Sequence, residues 1–358
     1  MTVTSLQRLA VIFGGRSNEH EVSVASARSV MREADPARFE VIPFGITRGG
    51  TWLTPAETRA RLERVETGER RDIGDEPGEG VFAYPDTVAG LRTVDVAFPI
   101  VHGTFGEDGT MQGLLEMAEL PYVGPGVAAS ATGMDKELMR AVFAANGIPQ
   151  ARYLVLRDAE VRSPGPETAR VVEQEIGFPC FVKPANGGSS VGVSKARSRE
   201  EFGDALAEAA RFDRKVLVEA ALTGREVECA VLGNHDPKPS PLGEIRPSTE
   251  FYDYKAKYLD DSAALIVPAE VDGPTTACVQ DLAVRAYRAL DCAGLSRVDF
   301  FVEPSGDVKC IEVNTLPGFT PISMYPRLWQ EAGISYRDLI SRLVDLGIER
   351  FEEVRAHA

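Results

Sequence analysis

Apolar residues along this chain fall into short runs that end on glycine, and those runs alternate with stretches spaced like a helix face. LAVIFGG (9–15) is an apolar strand entering two glycines, and SNEHEVSVASARSVMREA (17–34) has the apolar spacing of a helix. Strand, glycine turn and helix make the first unit of an α/β domain. A second strand is predicted at Glu40–Ile46, and Thr54, Pro55 and Glu57 form a capping box for a short helix. Residues 66–80 are polar and glycine-rich, which predicts a surface loop. Strand character returns at Asp95–Val101, and in HGTFGEDGTMQGLLEMAELPYVGPG glycines and acids precede an apolar helix. Residues 125–149 read as one helix closed by GIP. Strands are then predicted at 151–156, 179–183 and 215–219, with a glycine loop at 186–192 and a helix at 199–211. The remainder reads as a strand (EVECAVLG), a Tyr-, Lys- and Asp-rich loop (250–262), a helix (275–291), a hairpin (297–314) and a terminal helix (335–346).

A length of 358 residues exceeds one typical core and predicts two or three domains. The formal charge of −15 is spread along the chain, a field that repels nucleic acid and anionic lipid. A bound polyanion must therefore be held by a few local cations or by metal. The five cysteines are scattered without a CxxC pair and read as reduced, mostly buried residues of a cytoplasmic protein. No signal peptide and no membrane-spanning run is read, and the four histidines show no zinc-ligand spacing.

The hairpin RVDFFVEPSGDVKCIEVN carries the strongest chemical signal. With a four-residue turn at Pro304–Asp307, Glu303 faces Val308, so Asp299 faces Glu312 and Arg297 faces Asn314 on one side of the ladder. Carboxylates so placed lie ~4.5–5.5 Å apart and repel each other unless something sits between them. Asp, Glu and Asn are oxygen ligands of the kind Mg²⁺ takes together with phosphate; the same pattern also fits a solvated acidic edge. In FPCFVKPANGGSSVGVSKA (178–196) a lysine ends an apolar strand before Gly187, Gly188 and Gly192. Their N–H groups can cradle phosphate beside Lys183, although the spacing is not that of a Walker loop. With only eight lysines in the chain, Lys136, Lys183 and Lys257 stand out. Glu219 and Glu226 flank an apolar link containing Leu222; they suit adenine and ribose, or simply a wet strand end. Glu19, His20 and Glu21 follow a strand at the crevice where α/β sheets bind ligands, where a carboxylate can hold an ammonium group. His102 is equally a core histidine or a catalytic one on this reading. The backbone at Gly318 can donate to an oxyanion beside Arg297, and Ser323 can meet a carboxylate.

Taken together, GGRSNEHEVS, HGTFGEDGTMQGLLE, PYVGPG, MDK, KPANGGSSVGV, EFYDYKAKY, RVDFF and EVNTLPG resemble, in order and over almost the whole chain, the ATP-grasp ligases, and within them the D-alanine–D-alanine ligase family. The resemblance implies an α/β fold of three domains, 1–124, 125–222 and 223–358, with ATP held between the central and C-terminal ones. It implies ligation of two D-alanines through a D-alanyl phosphate for peptidoglycan precursor synthesis.

The resemblance also implies roles. Lys136, Lys183 and Lys257 contact ATP, with Gly188, Ser189 and Ser190 in the loop above. Glu219 and Leu222 hold adenine and Glu226 the ribose. Asp299, Glu312 and Asn314 bind two Mg²⁺ ions, or Mn²⁺. Glu19 holds the first D-alanine's ammonium, with Ser189 and Tyr258 beside it. His102 lies at the acceptor end, Arg297 and Gly318 meet the oxyanion, and Ser323 with Met324 receives the second carboxylate. A homodimer is implied, without nucleic-acid or membrane partners. Glu219-Ala220-Ala221-Leu222 lacks the aromatic residue some relatives carry there, and Met324 stands where some have leucine. The rival readings are a D-alanine–D-lactate ligase, against which Tyr258 argues, and a silent nucleotide-binding protein, against which the full set of acids and lysines argues.

Overall fold

The computed structural model describes residues 5–70, 72–74, 84–162, 165–246 and 264–357. The predicted loop 250–262, with Lys257 and Tyr258, lies outside them. In chain order the elements are β1 (Gln7–Gly14), α1 (His20–Glu33), β2 (Phe39–Ile46), α2 (Pro55–Glu66), α3 (Tyr84–Leu91), β3 (Val96–Ile100) and α4 (Thr110–Met117). Then come α5 (Val127–Met134), α6 (Lys136–Ala145), β4 (Tyr153–Arg157), α7 (Ala159–Arg162), α8 (Pro166–Glu175), β5 (Cys180–Pro184), β6 (Ser194–Ala196), α9 (Arg199–Ala209) and β7 (Lys215–Ala220). The last are β8 (Arg225–Leu232), β9 (Lys238–Arg246), β10 (Ala264–Ile266), α10 (Gly273–Ala289), β11 (Leu295–Val302), β12 (Val308–Asn314), α11 (Met324–Glu331) and α12 (Tyr336–Ala356).

The strands form three sheets. The first is parallel, in the order β2-β1-β3. It is covered on both faces, which is why β1 is a continuous apolar run rather than an alternating one. The second runs β4-β7-β5-β6 and the third β10-β9-β8-β11-β12, both antiparallel. The second sheet has a core of its own, built from Leu156, Val172, Val182, Phe202 and Val218 among others. A different core joins the first sheet to the C-terminal helices: Leu9, Val11 and Phe98 pack in one cluster with Phe319, Tyr325, Trp329, Leu339 and Leu343. That shared core holds the exits of β1 and β3 rigidly against the loop after β12.

The predicted helix 125–149 is two helices. Asp135 is extended (φ −86°, ψ 103°), and its carboxylate accepts from the N–H groups of Glu137 and Leu138 at 3.0 and 3.2 Å. An acid at an N-cap starts a helix better than it continues one, and this one also pairs with Lys215 at 2.5 Å. The terminal helix runs on to Ala356, ten residues past the predicted end. Strand β9 and helices α8 and α11 escape the sequence pattern. In β9 the prolines at 239 and 241 hide the strand, and the Ser240 hydroxyl accepts the Ala230 N–H at 3.0 Å.

The hairpin pairs Asp299 with Glu312 and Arg297 with Asn314 as predicted, though by a different route. Val302 faces Val308, so the turn is a residue longer than four, and a bulge opposite the Asp299/Phe300 step restores the register. Of the cysteines, Cys180, Cys229, Cys292 and Cys310 are buried and Cys278 is exposed; none is in a disulfide. Among the described residues no helix is long and apolar enough to cross a membrane.

Candidate functional site

Glu19 stands at the N-terminus of α1, where four bonds of two serine hydroxyls fix the backbone. Ser23 accepts the Gly14 N–H at 2.7 Å and donates to the Ile100 carbonyl, tying α1 to the ends of β1 and β3. Ser17 donates to the His102 carbonyl at 2.6 Å and accepts the Glu19 N–H at 3.2 Å. The turn needs glycine: a Cβ on Gly14, at φ 93°, would lie 2.1 Å from the Ile46 carbonyl oxygen. The Glu19 carboxylate then meets the glycine loop of the second sheet, where the Ser189 hydroxyl donates to it at 2.5 Å. A Cβ on either Gly103 or Gly188 would sit 3.1 Å from the same carboxylate, so glycines on two sides leave it room. Ser189 and Ser190 both take left-handed φ values, 50° and 59°, an unusual pair for residues with side chains.

Below that loop lies a buried cluster of charges. Lys136 donates to the Gly187 carbonyl at 2.6 Å, and Lys183 pairs with Glu219. The other Glu219 oxygen is taken by Arg140, a residue the sequence reading passed over. Arg140 is 1% exposed and also donates to the Cys310 carbonyl at 2.9 Å, linking β7 to β12. Burial alone would raise the Glu219 carboxyl, but Arg140 and Lys183 outweigh it and hold the group below its ordinary value. Burial lowers Lys136, and Glu312 partly offsets this. Lys136, Lys183, Glu219 and Glu312 thus share one electrostatic neighbourhood. Leu222 and Glu226 are half-buried beside it, and Glu226 faces Phe301 and Ile245 across the sheet.

On the third sheet Asp299 has Glu312 on one side and Glu228 on the other. Three carboxylates in a row need positive charge, and Arg297 supplies part of it. Its guanidinium grips Asp299 through two bonds of 2.8 Å and reaches Glu228 at 3.1 Å. Asn314 donates to Asp299 at 2.9 Å. The predicted repulsion is therefore already relieved in part by protein groups, Arg297 and Asn314. Glu228 was legible in EVEC as a second acid on the same strand face as Glu226. Among the described residues no three His, Cys, Asp or Glu side chains form a metal cage. Two carboxylates and an amide oxygen nevertheless fit a hard cation that takes its remaining ligands from phosphate and water.

At the opposite end, the Nδ1–H of His102 donates to the Leu316 carbonyl at 3.0 Å. A carbonyl can only accept, so the proton is on Nδ1 and Nε2 carries the lone pair. Nε2 is buried without a hydrogen-bond partner in the described structure. Burial lowers the imidazole's proton affinity despite the nearby Glu19 carboxylate, so the ring is neutral at neutral pH. Glu107, also passed over in the sequence, accepts the Gly103 N–H at 2.6 Å and the Leu316 N–H at 3.1 Å. Burial and repulsion from Glu19 push its carboxyl up to about 8. Gly318 lies over Ser323, whose hydroxyl would be 3.2 Å from a Cβ there. Ser323 starts α11, and its hydroxyl accepts the Thr320 N–H at 3.1 Å and bonds the Thr320 hydroxyl at 2.8 Å. The Met324 side chain is core, packed on the bare backbone of Gly243, where a Cβ would come within 2.3 Å of its sulfur. Only the Met324 backbone is left to meet a carboxylate, which refines the sequence reading.

A two-sheet clasp with paired lysines, beside an α/β domain that sets a carboxylate against the glycine loop, is the ATP-grasp ligase class. Family models described as the D-ala D-ala ligase N-terminus and C-terminus match residues 8–125 and 142–345. The chain belongs to the D-alanine–D-alanine ligase family. It is 45% identical to the D-alanine–D-alanine ligase of Acetivibrio thermocellus over 97% of both chains. It is 48% identical to that of Heliobacterium modesticaldum over 98% of this chain and 97% of the relative. Among solved structures it is similar to the D-alanine–D-alanine ligase of Coxiella burnetii, with TM-score 0.81, 34% identity and coverage of 99% and 97%. It is also similar to the VanG D-Ala:D-Ser ligase of Enterococcus faecalis, with TM-score 0.82, 34% identity and coverage of 96% and 100%.

Proposed function

We infer that this chain carries out the reaction of its family, the ATP-dependent joining of two D-alanines with release of ADP and phosphate, and we assign the steps to its residues. The supporting observation is the contact between Glu19 and Ser189, which sets the amino-acid carboxylate against the glycine loop beside Lys136 and Lys183. An amino acid whose ammonium pairs with Glu19 has its own carboxylate directed to that loop. The carboxylate oxygen attacks the γ-phosphorus of ATP, and D-alanyl phosphate and ADP form. Lys136 and Lys183 take the phosphate charge, under Gly188, Ser189 and Ser190. Asp299, Glu312 and Asn314 are the residues to hold Mg²⁺, as two ions, and the metal when bound neutralises charge on the transferring phosphoryl group.

The second D-alanine must lose a proton before it attacks. The His102 Nε2 lone pair is the acceptor we assign, because its tautomer is set by the Leu316 carbonyl. Arg297 and the Gly318 N–H stabilise the tetrahedral oxyanion, and Ser323 with the Met324 N–H holds the second carboxylate. Glu219, Leu222 and Glu226 hold the nucleoside. Lys257 and Tyr258 belong to the same proposal on family grounds, as do the division at residues 124 and 222, a cytoplasmic location and a homodimer. Phosphate release with ATP alone, with D-alanine, and with D-alanine plus D-serine or D-lactate tests the function. Release should depend on D-alanine, with D-alanyl-D-alanine as the product. Release independent of D-alanine, or only a mixed product, would defeat the reading.

A further inference from the structure

Leu316, in the loop after β12, is gripped at both of its backbone polar groups by one loop of the N-terminal sheet. Its carbonyl accepts from His102 at 3.0 Å and its N–H donates to Glu107 at 3.1 Å. Glu107's second oxygen returns to its own loop at Gly103, 2.6 Å away. The loop has little freedom to adjust. A Cβ on Gly106 would lie 1.8 Å from the Val101 carbonyl oxygen, and Gln112 donates to the Gly106 carbonyl at 2.8 Å. The Leu316 side chain is buried in the core that joins the first sheet to the C-terminal helices. Two residues further along stands Gly318.

We propose that Glu107 is a positioning residue that couples the two halves of the reaction, by locking Leu316 so that His102 keeps its basic nitrogen free and Gly318 keeps its N–H in place. The inference rests on the ligase reading above. Glu107 acts through Leu316 rather than on the reacting atoms. Among the described residues its carboxyl is the acceptor of the Leu316 N–H, and without it both backbone polar groups of Leu316 loosen. The first half-reaction meets this loop at the His102 carbonyl, which Ser17 holds independently of Leu316, while Lys136 and Lys183 are anchored elsewhere. The second half-reaction depends on Leu316 itself, and a misplacement of about 1 Å can cost on the order of 100-fold in rate. A slowed second step leaves D-alanyl phosphate waiting, and water then attacks its carbonyl to regenerate D-alanine and phosphate. ATP is consumed without dipeptide.

The test is Glu107→Gln, with Glu107→Ala as a second variant, each checked by thermal melt. Glutamine keeps one acceptor oxygen but places an NH₂ against the other N–H donor, so it breaks one of the two bonds with little change of shape. Dipeptide formed per ADP is measured at saturating ATP and D-alanine. Hydrogen exchange is followed in parallel over residues 314–318, a readout independent of activity. Exchange there should rise at least about 10-fold, and dipeptide per ADP should drop severalfold while D-alanine-dependent ADP formation stays within about threefold of the parent. Unchanged exchange at 314–318 overturns the clamp whatever the chain catalyses. Equal loss of ADP and dipeptide, at an unchanged ratio, overturns the coupling role. The parent chain's product tests the ligase reading separately.

Discussion

At the end proposed for the nucleotide Lys136, Arg140 and Lys183 lie among Glu219 and Glu312, while at the end proposed for the amino acids Glu107 feels Glu19 and, less strongly, Arg297, and His102 feels Glu19. In the first group Glu219 is held ionised against its burial by two cations, although burial lowers Lys136. In the second, His102 and Glu107 are pushed toward neutrality, the one lowered and the other raised by burial. The difference matches the chemistry at each end. Phosphoryl transfer handles large negative charge and needs fixed cations, whereas amine attack needs a neutral base that can take a proton. The structural supports differ too. Ion pairs hold the first end, and side-chain-to-backbone hydrogen bonds between loops hold the second.

Breaking the charged end should give the larger effect on stability. Glu219→Ala leaves Arg140 and Lys183 buried with no carboxylate between them, a loss of ~3–5 kcal/mol. Urea unfolding with a midpoint close to the parent's would show that the pairs are not coupled as described. Asp299→Asn should follow. Arg297 keeps Glu228 but loses its two-bond partner, costing about 1–3 kcal/mol and lowering turnover on the order of 100-fold or more. A melt unchanged from the parent, with activity lost, would assign Asp299 to metal binding alone.

The smallest expected effect is the pH dependence at the neutral end. Glu107 is raised from an ordinary value near 4.5 to about 8 in the fold, so the folded chain binds more protons between those values. Stability from this group is complete below the lower value and is lost as pH rises through about 8. Burial drives the shift first; of the surrounding charges Glu19 adds to it and Arg297 opposes it. Glu107→Gln should therefore flatten the fall of Tm between pH 5 and 8.5; a slope equal to the parent's would place the Glu107 carboxyl in the ordinary range.

Much of this was legible in the residues themselves. The apolar runs marked strands in all three sheets; Glu19 does meet Ser189, Lys136 lies near Lys183, and Arg297, Asp299 and Asn314 join on one ladder. Others were not, for physical reasons. Arg140 occupies an ordinary position on a helix, and only the packing of α6 between two sheets shows that it is buried. Glu107 sits beside Asp108 in a run of acids and glycines, where local sequence cannot say which carboxylate turns inward. The hairpin reached the right pairing because a longer turn and a bulge offset each other. Asp135 ended a helix that periodicity alone would have continued, although its capping chemistry was visible.

The central claim is that a D-alanine carboxylate oxygen is transferred to phosphate. It is tested by turning over D-alanine labelled with ¹⁸O in its carboxylate and examining the phosphate by mass spectrometry. An acyl phosphate intermediate predicts one ¹⁸O in the phosphate for each dipeptide formed. Dipeptide formed with unlabelled phosphate would contradict the account.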